Sequence, residues 1–340
     1  MKFIKKYSML LKALVFIIYV VGMSFDTYYT FISIQAIANA IAVIGLVIIS
    51  GMTRQIHLGQ AAFVGLGAYS SAIMMTKLGV NFWVSIPVAV IVAALVGVVL
   101  GIPTLKLRDG PYLALVTQIF GEVIFILLLN WEGLTGGSFG LSKIPFPEIG
   151  PVSFQSKRML LYLSAVFLMV AFFVAYRIYK SKFGRFFISI RESEAAAQSV
   201  GVNTMKYKII AFTLSSAFAG FAGVLYAQCI GYLNPDQFRW QVSLTLLSMA
   251  IIGGISSLEG GVLGAIVLTL LPEFLRGFSA QMRMITYGVL VILVLTLLPD
   301  GLISLFGKKP SEIRTMFRER AAMLTDERAR QRRKLKARLK

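Results

Sequence analysis

Long apolar runs alternate with short polar breaks along this chain, and the runs exceed what the core of a soluble domain requires. Ten apolar segments can be read, at about residues 11–25, 31–50, 58–76, 82–103, 112–131, 159–179, 208–230, 240–257, 260–276 and 284–306. A bilayer core of roughly 30 Å takes about 20 apolar residues per helical span, and backbone groups in hydrocarbon must be hydrogen-bonded within the protein. The runs do not alternate apolar with polar residues, so a membrane β-barrel is excluded. The predicted fold class is all-α: a polytopic helical membrane protein of about ten transmembrane segments over residues 1–306, followed by a basic tail at 307–340.

Two stretches break the pattern. GMTRQIHLG, Gly51 to Gly59, sets an arginine and a histidine inside an apolar run. Gly253, Gly254, Ser256, Ser257, Glu259, Gly260 and Gly261 interrupt the second half in a comparable way. In transporters, interrupted segments at matching places in two halves mark inverted repeats around a central site. The expected halves are residues 31–131 and 208–306, with their first helices running in opposite directions. Gly97 with Gly101, Ser216 with Gly220, Ala219 with Gly223 and Gly260 with Gly264 have the spacing of close helix contacts, expected within one subunit.

Composition supports the lipid setting: 57% of residues are hydrophobic and 14% charged, and the mean hydropathy is +0.78. The net charge of +19 would suggest nucleic acid until it is mapped. Residues 307–340 hold 13 Lys and Arg against 4 acids, and most of the remaining positive charge lies in short loops between apolar runs. Anionic lipids of the inner leaflet attract such residues, which identifies membrane lipids rather than nucleic acid as the partner. With a cytoplasmic N-terminus, alternation puts Arg54, Lys106, Arg108, the loop at 180–207 and the tail inside, so both termini are expected in the cytoplasm. Arg276 and Arg283 fall outside and fit this map least well. Lys2, Lys5 and Lys6 precede the first apolar run, and no small-residue cleavage site follows it, so a retained signal anchor is expected.

Candidate chemistry is sparse. Cys229 and His57 are the single cysteine and histidine, which excludes a disulfide framework and argues against a metal site or a catalytic Cys/His pair. Glu122 is an acid near the middle of an apolar segment, where a charge costs about 2.5–3.5 kcal/mol to insert unless it faces protein or water. Thr117, Gln118, Gly121 and Glu122 fall on one helical face. This stripe lines a pathway or bonds to a neighbouring helix. His57 and Gln60, in the first interruption, touch substrate or cap broken-helix backbone.

The loop FGRFFISIRESEAAAQSVGVNTMKYK, residues 183–208, is polar yet built to form helix. Arg191, Glu192, Glu194, Ala195, Ala196 and Ala197 predict one short helix, stopped by Gly201 at a left-handed cap. Connections between helices usually span a few residues, so a loop with its own helix suggests a docking surface. At these positions the sequence resembles the permease subunits of bacterial ABC importers, whose cytoplasmic loop carries a Glu-Ala-Ala element and a following glycine, here Glu194, Ala195, Ala196 and Gly201. More widely it resembles the M-type permease of the high-affinity branched-chain amino-acid (leucine-isoleucine-valine) uptake systems. The resemblance runs through IHLGQAAFVGLGAY, LVTQIFGEVIFILLLNWEGLTGGSFGL, the loop with Arg185 and Arg191, and LLSMAIIGGISSLEGGVLGA. It departs from the family pattern at Gln118 and Phe125, which bears on substrate more than on family.

The resemblance implies a permease that is not itself an enzyme, in a bacterial inner membrane. The chain has no G-x-x-x-x-G-K-[ST] phosphate loop, so ATP belongs to partner subunits. The implied partners are two ATP-binding cassette ATPases, a second homologous permease and an extracytoplasmic binding protein. Urea, short amides or other amino acids are alternative substrates within the same superfamily. An ion-coupled secondary transporter or channel would instead need embedded ion ligands and no docking loop, and a membrane scaffold would not need interrupted helices.

Overall fold

The computed structural model describes residues 18–104, 111–149, 152–298 and 301–305. Most of the first apolar segment, Lys106 and Arg108, and the tail at 307–340 lie outside the described residues.

The chain is nearly all helical. Residues 18–23 close a first helical stretch. α1 (Thr27–Leu46) continues into a π-helical turn, Val47–Gly51. α2 (Gln60–Lys77), α3 (Phe82–Thr104) and α4 (Pro111–Asn130) complete the first half. A short α5 (Glu132–Thr135) and a two-residue antiparallel pair, β1 (Glu148–Ile149) with β2 (Val152–Ser153), fold the long connection to α6 (Lys157–Lys180). α7 (Lys182–Glu192) and α8 (Glu194–Ser199) form the polar loop. α9 (Thr204–Ile230), α10 (Trp240–Gly253), α11 (Leu258–Phe274) and α12 (Ala280–Leu297) form the second half.

Eight predicted segments correspond to helices whose ends agree within about four residues. The last predicted segment ends early, at Leu297, ahead of Pro299 in the sequence. Among the described residues, α1 with its π turn, α3, α4, α6 and α9 are long and apolar enough to cross a membrane. α2, α10 and α11 are shorter or less apolar. The 14 residues of α10 rise only about 21 Å.

Packing follows from where the apolar surface lies. α1 is apolar on all sides and accordingly central, with 89% of its apolar window buried. α9 packs against α1, α2 and α3, while α11 packs on α1 and α10. The contacts come through small residues: Gly97 meets Ser216, and Gly253 lies against Gly260 and Gly264. Outward faces carry large apolar side chains instead, such as Ile91, Leu95 and Val99 on α3 and Val166, Val170 and Phe173 on α6. Large apolar groups outside and small ones inside are the distribution expected in lipid.

The bundle has one basic end. Arg54, Arg177, Lys180, Lys182, Arg185, Arg191, Lys206 and Lys208 gather there with Glu192, Glu194 and Glu259, whereas acids and bases are nearly balanced at the other end. Arg276, at the balanced end, stacks 4.3 Å above the Tyr28 ring, and the Tyr28 hydroxyl donates to Glu273 at 2.5 Å. A local aromatic ring thus holds this out-of-pattern cation.

The first helices of the two expected halves run in opposite directions, since Phe31 meets Cys229 and Gly45 meets Ser215, so α1 is antiparallel to α9. Asn39 bonds Thr269 and Val47 touches Gly261, so α1 runs antiparallel to α11, as α10 does through Gly253 and Gly260. The pairs α1–α2 and α10–α11 therefore run in the same sense, and both bend at the basic end. The two interruptions follow the first helix of one half and the second helix of the other, so they do not occupy matching positions.

Candidate functional site

The first interruption is built by local polar bonds within an apolar bundle. The Thr53 hydroxyl donates to the Ile49 carbonyl, and Ser50 Oγ donates to the Gln55 carbonyl at 2.8 Å, which turns the chain out of the π turn. Arg54 takes a left-handed φ of 60°. Residues 54–59 then run without helix until Gln60 opens α2. The freed backbone amides find side chains on other helices: Leu58 N–H donates to Thr117 Oγ1 at 3.1 Å, and Ala61 N–H to Ser243 Oγ at 2.9 Å. This is how non-helical backbone persists at membrane depth.

Of the sequence candidates here, Gln60 is a latch. Fully buried, it donates from Nε2 to the Ala42 carbonyl at 2.8 Å and accepts from Ser215 Oγ at 3.2 Å. It ties α2 to α1 and α9. His57 is also fully buried, with its ring 4.9 Å from Phe212 and 5.7 Å from Phe63. Neither His57 ring nitrogen has a hydrogen bond of normal geometry among the described residues, and Gln60 is its polar neighbour. Gln55, which sequence reasoning passed over, is 4% exposed with both side-chain polar atoms unpartnered.

The second interruption meets the first. A Cβ on Gly51 would lie 1.9 Å from the Ile255 carbonyl oxygen, so only glycine permits this contact. Ser257 restarts the helix by accepting from Gly260 N–H at 3.2 Å.

The α4 stripe does turn towards the bundle. Thr117 and Gly121 are buried against the first interruption, while Ile119 and Val123 point outward. Gln118 and Glu122 are half-buried, and Glu122 Oε1 is buried without a partner among the described residues. Thr117 thus caps backbone.

A small cavity that sequence reasoning missed lies among α1, α2, α9 and α10. Its walls include Ala42, Val64 and Leu246, with Asn39, Tyr226 and Gln237 as polar groups. Gln237 is held in a capping box, accepting from Asn234 N–H at 3.2 Å. Asn39 was the available signal, as the one amide in the apolar part of α1 after Gln35. The cavity is closed towards the basic end by the Gln60–Ala42 and Ala61–Ser243 bonds.

In the loop, the single predicted helix is two. Arg191 and Glu192 end α7, Ser193 is extended, and its hydroxyl accepts from Ala196 N–H at 3.2 Å to start α8. A serine that caps a new helix competes with continuing the old one. Gly201 adopts the left-handed φ of 83° expected of it, with open space around it. Ala195, Ala196 and Val200 are exposed, Val200 by 76%. Glu194 is turned inward: it pairs with the largely buried Lys208 at 2.7 Å and fixes α8 to the base of α9. Arg185 lies exposed on α7, whereas Arg191 reaches into the bundle, where Nη1 donates to the Gly51 carbonyl at 2.9 Å.

Comparison with known proteins gives a consistent result. Residues 28–295 match the family described as branched-chain amino acid transport system, permease component. The chain is 36% identical over 269 residues to the high-affinity branched-chain amino acid transport system permease protein LivM of Escherichia coli K12, covering 72% of this chain and 63% of that protein. LivM of Salmonella typhimurium is 35% identical over the same share. The autoinducer 2 import system permease protein LsrC of Salmonella paratyphi B is 27% identical over 241 residues, covering 66% of this chain and 64% of that protein. The chain thus covers less than two thirds of these relatives' own length. No solved structure matches.

Proposed function

Since the chain belongs to the family of branched-chain amino acid transport system permease components, we propose that it is the membrane-spanning permease subunit of an ATP-driven importer for branched-chain amino acids. The observation that carries this reading is the polar α7–α8 loop at the basic end. It presents Ala195, Ala196, Val200 and Gly201 to solvent while Glu194 and Arg191 anchor it inward. An exposed small and apolar edge on a braced base is suited to docking another protein.

In this reading the ATP-binding cassette ATPases are separate chains that dock on the loop from the cytoplasm. The basic end faces the cytoplasm, in keeping with its excess of Lys and Arg, and the described helices belong to a set of about ten spans. A second homologous permease completes the channel, and an extracytoplasmic binding protein delivers substrate at the balanced end. Substrate enters beside Asn39, Tyr226 and Gln237 once the surrounding helices part, since the closed cavity is too small for an amino acid. The Gln60 and Ser243 bonds must part before it can pass His57, Gln118 and Glu122. ATP-driven movement of the docked loop would supply that work.

The relative named for autoinducer 2 import shows that similar permeases serve in systems for other cargo, so urea, short amides and other amino acids are the competing substrates. An ion-coupled transporter is the less favoured class, because Glu122 is the one mid-span acid on α4 and the loop would have no partner. The test is uptake of labelled leucine, alanine and urea in a strain with the gene deleted and then restored. Restoration of leucine uptake that needs intact ATPase subunits supports the proposal. Unchanged leucine uptake on deletion, with loss of urea or alanine uptake, replaces the substrate.

A further inference from the structure

Three features converge on residues 51–59. Gly51 is held by one cation from the polar loop, since Arg191 Nη1 donates to its carbonyl across 140 positions of sequence. Gly51 also abuts the Ile255 carbonyl, so the same point joins both interruptions. Just beyond it, both polar side-chain atoms of Gln55 are buried with no hydrogen-bond partner among the described residues, and the buried His57 ring has Gln60 as its polar neighbour. Each is at most 4% exposed.

Buried polar groups without partners are costly, and a conformation that burys them favours any alternative in which they meet water or a polar ligand. Residues 54–59, which carry them, lie outside helix, and the Leu58 amide there is held by a single hydroxyl of α4. Such a segment moves more readily than the helices around it. Its near end is held locally by the Ser50 and Thr53 hydroxyls and, from the polar loop, by Arg191, which sits at the last turn of the loop helix α7.

We propose that residues 51–59 are the gate at the basic end of the pathway, with Gln55 and His57 as its pore-facing groups when open, and that Arg191 is the positioning residue by which the polar loop holds it shut. Arg191 is thereby removed from the docking surface and given an internal role. When the loop shifts, the guanidinium leaves the Gly51 carbonyl, the π turn separates from Ile255, and Gln55 and His57 turn to water and substrate. The importer reading supplies what drives the loop, whereas the pin itself depends only on this chain.

The experiment places a thiol at the gate in the complete importer, in membrane vesicles open at the basic end. Cys229→Ala removes the native thiol, and Gln55→Cys reports on the gate, with His57→Cys as a second reporter should the first misfold. With Arg191 intact, a charged, water-soluble thiol reagent should react slowly in the absence of nucleotide. Arg191→Gln should raise that rate about tenfold or more, the effect of losing one charge-assisted hydrogen bond on an open–closed equilibrium. Arg191→Lys, which keeps a cationic donor, should stay near the parent rate. Arg191→Gln should also keep its ATPase subunits on purification while leucine uptake falls about tenfold. Equal reaction rates in the Arg191 and Arg191→Gln proteins at both reporters, or full uptake by Arg191→Gln, would overturn the proposal. A wild-type chain that recruits no ATPase would overturn the importer reading instead, and the thiol rates would still decide the pin.

Discussion

Replacing Gly223 with alanine puts a close helix crossing of the bundle to a quantitative test. A Cβ there would lie 2.0 Å from the Val64 carbonyl oxygen and 2.6 Å from the Ala68 nitrogen, and from the other helix a Cβ on Gly67 would lie 2.2 Å from the Gly220 oxygen. The obstructing atoms are backbone, so no rotamer change relieves the clash. Ordinary C···O contacts need about 3.3 Å, so α2 and α9 must part by about 1 Å along the crossing. Overpacking costs about 1–3 kcal/mol, and here the lost dispersion contacts along both helices argue for the upper end. The expected cost of about 3 kcal/mol lowers the folded-to-unfolded ratio roughly a hundredfold. It can be measured by titrating the purified protein from mild detergent into dodecyl sulfate and following tryptophan fluorescence. Gly133→Ala and Gly277→Ala, where a Cβ meets nothing within 4 Å, serve as controls and should leave the midpoint unchanged. A Gly223→Ala stability within about 0.5 kcal/mol of wild type, the range of an ordinary surface substitution, would refute the close-contact account.

Three further outcomes are expected. Glu122→Leu should reduce assembly or abundance if the carboxylate serves a neighbouring subunit, with Glu122→Gln tolerated, whereas a pathway role predicts that Glu122→Gln assembles normally and loses uptake; wild-type behaviour of both would remove Glu122 from the site. Gly201→Trp has open space for its side chain but must hold φ at 83°, a local cost of about 1–3 kcal/mol. It should therefore leave insertion intact while cutting uptake relative to ATP hydrolysis, and normal coupled uptake would argue against docking at this loop. Alkaline phosphatase fused after Lys143, at the balanced end, should be active, and fused after Lys180 or Lys340 inactive; the reverse pattern would invert the orientation.

The sequence by itself determined the helical class, the helix positions and the identity of the two breaks. Twenty-residue apolar runs admit one solution in lipid, and Gly, Ser and Arg inside them mark where that solution fails. It also determined the left-handed cap at Gly201, because that depends on one residue's own sterics. The tertiary structure decided matters that depend on distance in space. It showed that the two breaks share one end and touch at Gly51 and Ile255. It turned Glu194 and Arg191 from surface charges into internal ties to Lys208 and Gly51. It brought Asn39, Tyr226 and Gln237, from three separate elements, to one cavity. Helical periodicity reports the face on which a residue lies, but the partner opposite that face is set by packing of small residues between helices far apart in sequence, and no local pattern encodes it.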